Sequence, residues 1–278
     1  MYKQDYSFHT HTKRCGHAWG RDEDYIQAGI KMGFSYFGFS DHVMLPGLKQ
    51  SGMRGDYDHD FPDYLSSLNR LREKYKDTLD LQIGFECEWY DRFDSFYREI
   101  LAKNQVDYLI LGQHCYLEGD RFHYYSHVPY PEAREMYVNA LLKAMESGLF
   151  LYVAHPDYIF RYCKEVGEED ILAARKILEA AARLHIPFEI NLGPSRWDRR
   201  KRDADGNWVL MYPQPWFWDI AKDYDIDVVI GPDVHDPAEF ALSDYEWAYR
   251  FVSSRGMRLM SGEEIYRRIQ RMKKSLTE

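Results

Sequence analysis

Short apolar runs alternate along the chain with longer stretches whose apolar positions recur every three to four residues. Runs at 5–9, 35–40, 81–87, 107–112, 150–154, 187–191 and 227–231 have the length of strands, and an eighth lies at 257–260. Some, such as Tyr108–Leu111 and Val228–Ile230, contain no polar interruption, as expected of strands buried on both faces of a parallel sheet. The longer stretches predict helices at 22–32, 61–75, 92–103, 132–147, 168–184, 215–223, 243–254 and 262–274. Gly33 and Gly148 stand where the first and fourth of these should stop. Ser261 and Glu264 have the spacing of a capping box before the last.

Repeated strand-then-helix units predict an α/β fold, either a barrel or a doubly wound sheet. No repeat, low-complexity tract or shift in composition marks a linker, so residues 1–278 read as a single domain. The long irregular stretch at 193–214 is rich in Arg, Asp, Gly and Pro. Loops of that length tend to be functional, and a lid is one reading. Within it, Arg199, Arg200, Lys201 and Arg202 read as a solvated face.

Chemistry enters with the histidines. Of eleven, seven fall at or just beyond the end of an expected strand: His9, His11, His17, His42, His114, His155 and His235. Glu86 and Asp233 fall there too. In a parallel barrel every strand C-terminus opens on one face, so residues distant in sequence converge. His9 and His11 are two apart on extended chain, as are Asp233 and His235, so each pair points to one side. A lone His-x-His is a weak sign, but burying this many polar groups without strong partners is costly. Mixed imidazole and carboxylate donors suit Zn, Mn or Fe, whereas an all-oxygen set would suit Mg or Ca. Nine donors exceed one tetrahedral ion, and Glu86 is placed to bridge two. We therefore expect two or three divalent ions. His59, His123, His127 and His185 read as structural or solvent-facing.

Composition narrows the partners. A net charge of -9 argues against a surface for long nucleic acid. No run approaches the ~20 apolar residues of a membrane span, and residues 1–8 lack the apolar core of a secretory signal. The four cysteines form no CxxC pair, so a cytoplasmic protein with free thiols is expected. Cys87 and Cys115 read as small core residues, each a neighbour of an inward-pointing ligand. The aromatic share of 16% suits a pocket for a small molecule, with Trp19, Trp89, Trp197 and Trp208 as possible walls.

The segments HTHTKRCGHA at 9–18, SDH at 40–42, GFECE at 84–88, GQH at 112–114, AHPD at 154–157 and PDVH at 232–235 resemble the polymerase and histidinol phosphatase (PHP) superfamily. The first segment and NLGPSR at 191–196 are similar to its histidinol-phosphate phosphatase branch. The resemblance implies a distorted (β/α)7 TIM-like barrel with a trinuclear site at the strand C-termini. It implies that His9, His11, Glu86 and Asp233 hold one metal, that Glu86, His114 and His155 hold a second, and that His17, His42 and His235 hold a third. The implied activity is hydrolysis of a small phosphate ester by a metal-bound hydroxide, with Asp233 able to shuttle a proton. Arg161 and Arg196 are the cations expected to meet the phosphate. Glu88 would bind a substrate amine or orient a histidine. Two other substrate classes stay open: phosphotyrosine or nucleotide ends, and amides or cyclic esters cleaved at carbon, as in amidohydrolase barrels.

Overall fold

The computed structural model describes residues 3–196, 200–202 and 208–277. Its strands are β1 (Tyr6–Ser7), β2 (Tyr36–His42), β3 (Asp80–Cys87), β4 (Tyr108–Leu111), β5 (Cys115–Glu118), β6 (Arg121–Tyr124), β7 (Phe150–Val153), β8 (Phe188–Asn191), β9 (Arg200–Arg202), β10 (Trp208–Leu210) and β11 (Val228–Gly231). Its helices are α1 (Asp22–Met32), α2 (Asp60–Tyr75), α3 (Asp94–Ala102), α4 (Tyr130–Glu146), α5 (Glu168–Leu184), α6 (Gly193–Arg196), α7 (Pro215–Ala221), α8 (Glu239–Leu242), α9 (Tyr245–Ser253) and α10 (Gly262–Thr277).

Seven strands form one parallel sheet in the order β1-β2-β3-β4-β7-β8-β11. Each runs parallel to its neighbour, and the sheet curls until its two ends meet. The seam is a parallel bridge between Thr10 and Val234. Two hydrogen bonds make it: His11 N–H to the Val234 carbonyl at 3.0 Å and Val234 N–H to the His9 carbonyl at 3.4 Å. The register shifts between β4 and β7, and β7 meets β8 only at Val153 and Phe188. These irregularities make the barrel distorted, as expected.

Two apolar clusters sandwich the sheet. The outer one packs helices against strands. The inner one fills the barrel with Tyr6, Phe8, Tyr108, Ile110, Leu151, Tyr152 and Val229, and is joined by Ile265 and Ile269 of α10. Arg268 of α10 donates to the Leu151 carbonyl near the start of β7, so the last helix closes the strand N-terminal mouth. That leaves the C-terminal mouth for chemistry. Burying one large apolar side chain contributes about 1.5–3 kcal/mol, and most of this inner set is under 2% exposed.

Helix boundaries follow the sequence signals where those were chemical. α1 stops at Gly33, in a left-handed conformation with φ of 84°, and its N–H closes on the Gly29 carbonyl. Ser261 and Glu264 form the reciprocal cap of α10. Several expectations need correction. The run at 257–260 contributes only a bridge at Leu259 to Val228. The helix expected at 243–254 is present as α9, although a separate short turn, α8, precedes it. The segment 193–214 is not structureless, since it contains α6 and the antiparallel pair β9–β10. The hairpin β5–β6 was missed altogether, because its residues alternate weakly and half face solvent.

Candidate metal centre

The seam explains why four polar side chains converge. Thr10 and Val234 are bridged, so their flanking residues, His9 and His11 on one side and Asp233 and His235 on the other, turn to the same face. His42 and Glu86 are partners in the β2–β3 register and share that face. His114 follows β4 and His155 follows β7, at the same mouth of the barrel. All nine residues expected at strand ends are thus gathered at one end.

Distances define the arrangement. Glu86 Oε2 lies 3.5 Å from His9 Nε2, 3.5 Å from His11 Nε2 and 3.2 Å from His42 Nδ1. Its other oxygen, Oε1, lies 2.9 Å from His155 Nε2 and 3.4 Å from His114 Nε2. Asp233 Oδ1 is 3.5 Å from His9 Nε2 and 3.2 Å from His11 Nε2. A metal with ~2.0–2.1 Å bonds to four tetrahedral ligands separates those ligands by about 3.4 Å. The four histidine–carboxylate separations within the set His9, His11, Glu86 and Asp233, 3.2–3.5 Å, are close to that spacing. Buried His9 Nε2 and His42 Nδ1 make no hydrogen bond, although carboxylate oxygens are near. Buried nitrogens left without a hydrogen bond beside carboxylates are suited to a cation, whether proton or metal, and the residues fit divalent ions. A second group, Glu86, His114 and His155, and a third, His17, His42 and His235, each bring their donor atoms within 4.8 Å of one another. His11 stacks on His235 with ring centroids 4.0 Å apart, which links the first and third groups.

Glu86 occupies its place because Gly112 has no side chain. A Cβ there would sit 2.0 Å from Glu86 Oε1. His155 and Asp233 both have positive φ, 32° and 50°, a strained conformation for residues other than glycine.

Burial and charge set the protonation of the metal-free cluster. Burial opposes ionisation of Glu86 and Asp233, but the surrounding histidines hold both well below the usual carboxylate range. Burial likewise opposes protonation of His9 and His11, yet the adjacent carboxylates win. His9 is raised well above its ordinary value and His11 to about 9. His42 and His235 go the other way, well below, through burial and the positive field of His11. Without a metal, the cluster is held by protons on His9 and His11. Metal uptake must displace them.

A cavity of about 510 Å³ opens over the cluster. Its walls include Trp19, Tyr124, Tyr158, Arg161, Tyr212 and Asp236. The Arg161 guanidinium lies over the rings of Tyr158, Tyr162 and Tyr212 at 4.8, 5.4 and 5.8 Å, and donates to the Met211 sulfur at 3.3 Å. It has no carboxylate partner among the described residues. Arg196 is placed differently. It is buried, does not face the cavity, and donates to Ser243 Oγ at 2.8 Å and to the Asp233 carbonyl at 2.7 Å. Glu88 is also buried away from the cavity. It accepts from Arg54 at 3.0 Å through both oxygens, and one of them lies 3.3 Å from His114 Nδ1. Of the tryptophans, Trp19 lines the cavity, while Trp89 is buried and bonded to Asp91. Trp197 and the Trp208 side chain lie outside the described residues. Cys87 and Cys115 are fully buried.

Four supporting residues escaped the sequence reading: Asp41, Arg54, Glu189 and Asn191. Asp41 lies 3.6 Å from His11 Nδ1 and accepts from Thr12. Glu189 and Asn191 had a signal, since they are two polar residues alternating with Phe188 and Ile190 inside an otherwise buried strand.

A closed parallel barrel with imidazoles and carboxylates crowded at its strand C-termini defines the class of barrels that hold divalent ions at that face. The comparisons narrow this further. The PHP domain model matches residues 7–192, and the chain belongs to that family. A protein of Deinococcus radiodurans named "Probable histidinol-phosphatase" is 27% identical over 89% of this chain and 93% of its own length. The histidinol-phosphatase of Lactococcus lactis is 26% identical over 69% of this chain and 72% of its own. The crystal structure of the Lactococcus lactis histidinol phosphate phosphatase, complexed with zinc, L-histidinol and phosphate, superimposes with a TM-score of 0.67 at 21% identity. It covers 93% of this chain and 97% of that one. No helix among the described residues is long and apolar enough to cross a membrane.

Proposed function

We propose that the chain is a metal-dependent phosphomonoesterase of the histidinol-phosphatase type, acting through one domain on a small phosphate ester. The observation that carries the reading is the donor set of His9, His11, Glu86 and Asp233, whose histidine nitrogens lie 3.2–3.5 Å from the carboxylate oxygens, at the floor of a cavity whose wall presents Arg161. His9, His11, Glu86 and Asp233 would hold one ion, Glu86, His114 and His155 a second, and His17, His42 and His235 a third. Zinc, manganese and iron all suit these donors. Bound there, two or three such ions would supply Lewis acidity to a phosphoryl group and to an attacking water.

The chain supplies the rest. Arg161 is the cation for the phosphate, since its charge faces the cavity and its planar fork matches phosphate oxygens. Tyr158 and Tyr212 flank it and narrow the water around it, which strengthens its field. Asp233 is ionised at neutral pH, and we assign it to proton transfer beside the ions. Arg196 holds the Asp233 backbone rather than substrate, and Glu88 orients His114 rather than meeting an amine.

The test is phosphate release from L-histidinol phosphate by metal-loaded protein, beside p-nitrophenyl phosphate, phosphotyrosine and a dinucleotide. A kcat/KM for histidinol phosphate well above the others supports the named substrate. Equal, weak rates on all four would remove that substrate and keep the class. Turnover of amides or lactones without any phosphate release would overturn the class.

A further inference from the structure

The barrel strand that carries no expected ligand, β8, holds a carboxylate bonded to three partners around the cluster. Glu189 is fully buried, and its two oxygens divide their work. Oε1 lies 2.7 Å from His9 Nδ1, so that nitrogen keeps its proton and Nε2, once metal uptake displaces its own, turns a lone pair towards Glu86 and Asp233. Oε2 accepts the backbone N–H of His155 at 3.1 Å and the Asn191 amide at 2.9 Å. That amide also donates to Asp233 Oδ2 at 3.1 Å, which leaves Oδ1 turned towards His9 and His11. His155 and Asp233 are the two cluster residues with positive φ. Glu189 and Asn191 thus tie down three members of the cluster, from three different strand ends, and brace both strained positions.

The backbone makes room for this. A Cβ on Gly231 would lie 1.7 Å from Glu189 Oε1 and 2.3 Å from its Cδ. Gly231 is the β11 partner of Asn191, so the space is created in register with the pair it serves. A carboxylate behind a ligating histidine fixes the ring's tautomer and orientation and raises its basicity.

We infer that Glu189, with Asn191, is the positioning residue of the first metal site, setting His9 and Asp233 for the ion without touching it. The inference rests on the metal-site reading above. Two variants test it independently. Glu189→Gln removes the charge at constant shape, and Gly231→Ala displaces the same carboxylate without changing its chemistry. Metal content after dialysis and metal affinity by competition with a chromophoric chelator are measured for Zn(II) alone, with thermal unfolding of the metal-free proteins alongside. The expected result is Zn(II) binding weakened about 10–100-fold in both variants, with up to one ion per chain lost. Glu189→Asp, one methylene shorter, should not restore it, because the carboxylate cannot reach both His9 and the His155 amide. A purely structural role would lower the unfolding temperature and leave the affinity of the folded protein unchanged, and that result overturns the inference. A wild-type protein that takes up no divalent metal would overturn the site reading itself, which is a distinguishable failure.

Discussion

Adding one methyl group at Gly112 should disable the centre without removing any of its donors. Glu86 Oε1 would lie 2.0 Å from the new Cβ, and real contacts of that kind are essentially never under 3.0 Å, so the carboxylate must retreat by at least 1.0 Å. The Gly112 backbone cannot yield easily, because its N–H is bonded to the Cys87 carbonyl at 3.0 Å. Ligand distances at a metal tolerate only about 0.2 Å, and a misplacement of about 1 Å costs on the order of 100-fold in rate. Gly112→Ala should therefore lower kcat/KM at least about 100-fold, or roughly 2.7 kcal/mol of transition-state stabilisation. Overpacking should cost a further ~1–3 kcal/mol of folding stability. The assay pairs phosphate release with elemental analysis of bound metal. Because Glu86 faces all three groups or their neighbours, metal content should fall by more than one ion. A Gly112→Ala protein with full metal load and full turnover would refute the idea that Glu86 is the fixed centre of the cluster.

Three further outcomes are expected. Arg161→Met should lower kcat/KM for phosphomonoesters by about 100-fold while metal content stays at the wild-type level; a fall in bound metal instead would remove Arg161 from the substrate wall. Arg54→Met leaves Glu88 charged and buried and should cost about 3–5 kcal/mol in urea unfolding, with much of it recovered in Arg54→Met/Glu88→Leu; an additive double variant would show that the pair is uncoupled. His11 has its pKa raised to about 9, so its contribution to the stability of metal-free protein is full below the ordinary value of 6.5 and is lost as pH rises through 9. The loss amounts to about 3 kcal/mol of that contribution. Metal-free protein should accordingly weaken between pH 7 and 9 while zinc-loaded protein does not, and metal binding at pH 7 should release protons measurable by calorimetry in buffers of different ionisation enthalpy. Parallel curves for the two forms would sink this account.

The barrel was legible because buried parallel strands such as Tyr108–Leu111 leave continuous apolar runs, and the placement of seven histidines at strand ends follows from those runs. What lay beyond the sequence was orientation. Glu88 stands two residues past Glu86 and Arg196 just past the end of β8, which made both natural substrate contacts, yet the chain turns both into protein. Nothing in the linear order shows that Arg54, on the long connection after β2, reaches back to Glu88 and so satisfies it before any substrate could. The hairpin β5–β6 is invisible for a different reason. Its stability comes from packing Tyr116 and Phe122 against the body, not from a period of its own.

The seam between Thr10 and Val234 has a consequence for when the centre can exist. The residues that flank it come from opposite ends of the chain, 224 positions apart. A growing polypeptide can fold β2, β3 and β4 as they emerge, but it has no complete donor set until β11 has been made and has found β1. Closure of the barrel and assembly of the first site are one event. Two backbone hydrogen bonds, backed by bonds of the Tyr6 and Gln4 side chains to Ile230, give that event modest strength by themselves. An ion gripped by His9 and His11 on one side and Asp233 on the other would act as its clasp, so that the metal supply of the cell, as much as the apolar core, would decide how often the two ends of this chain stay joined.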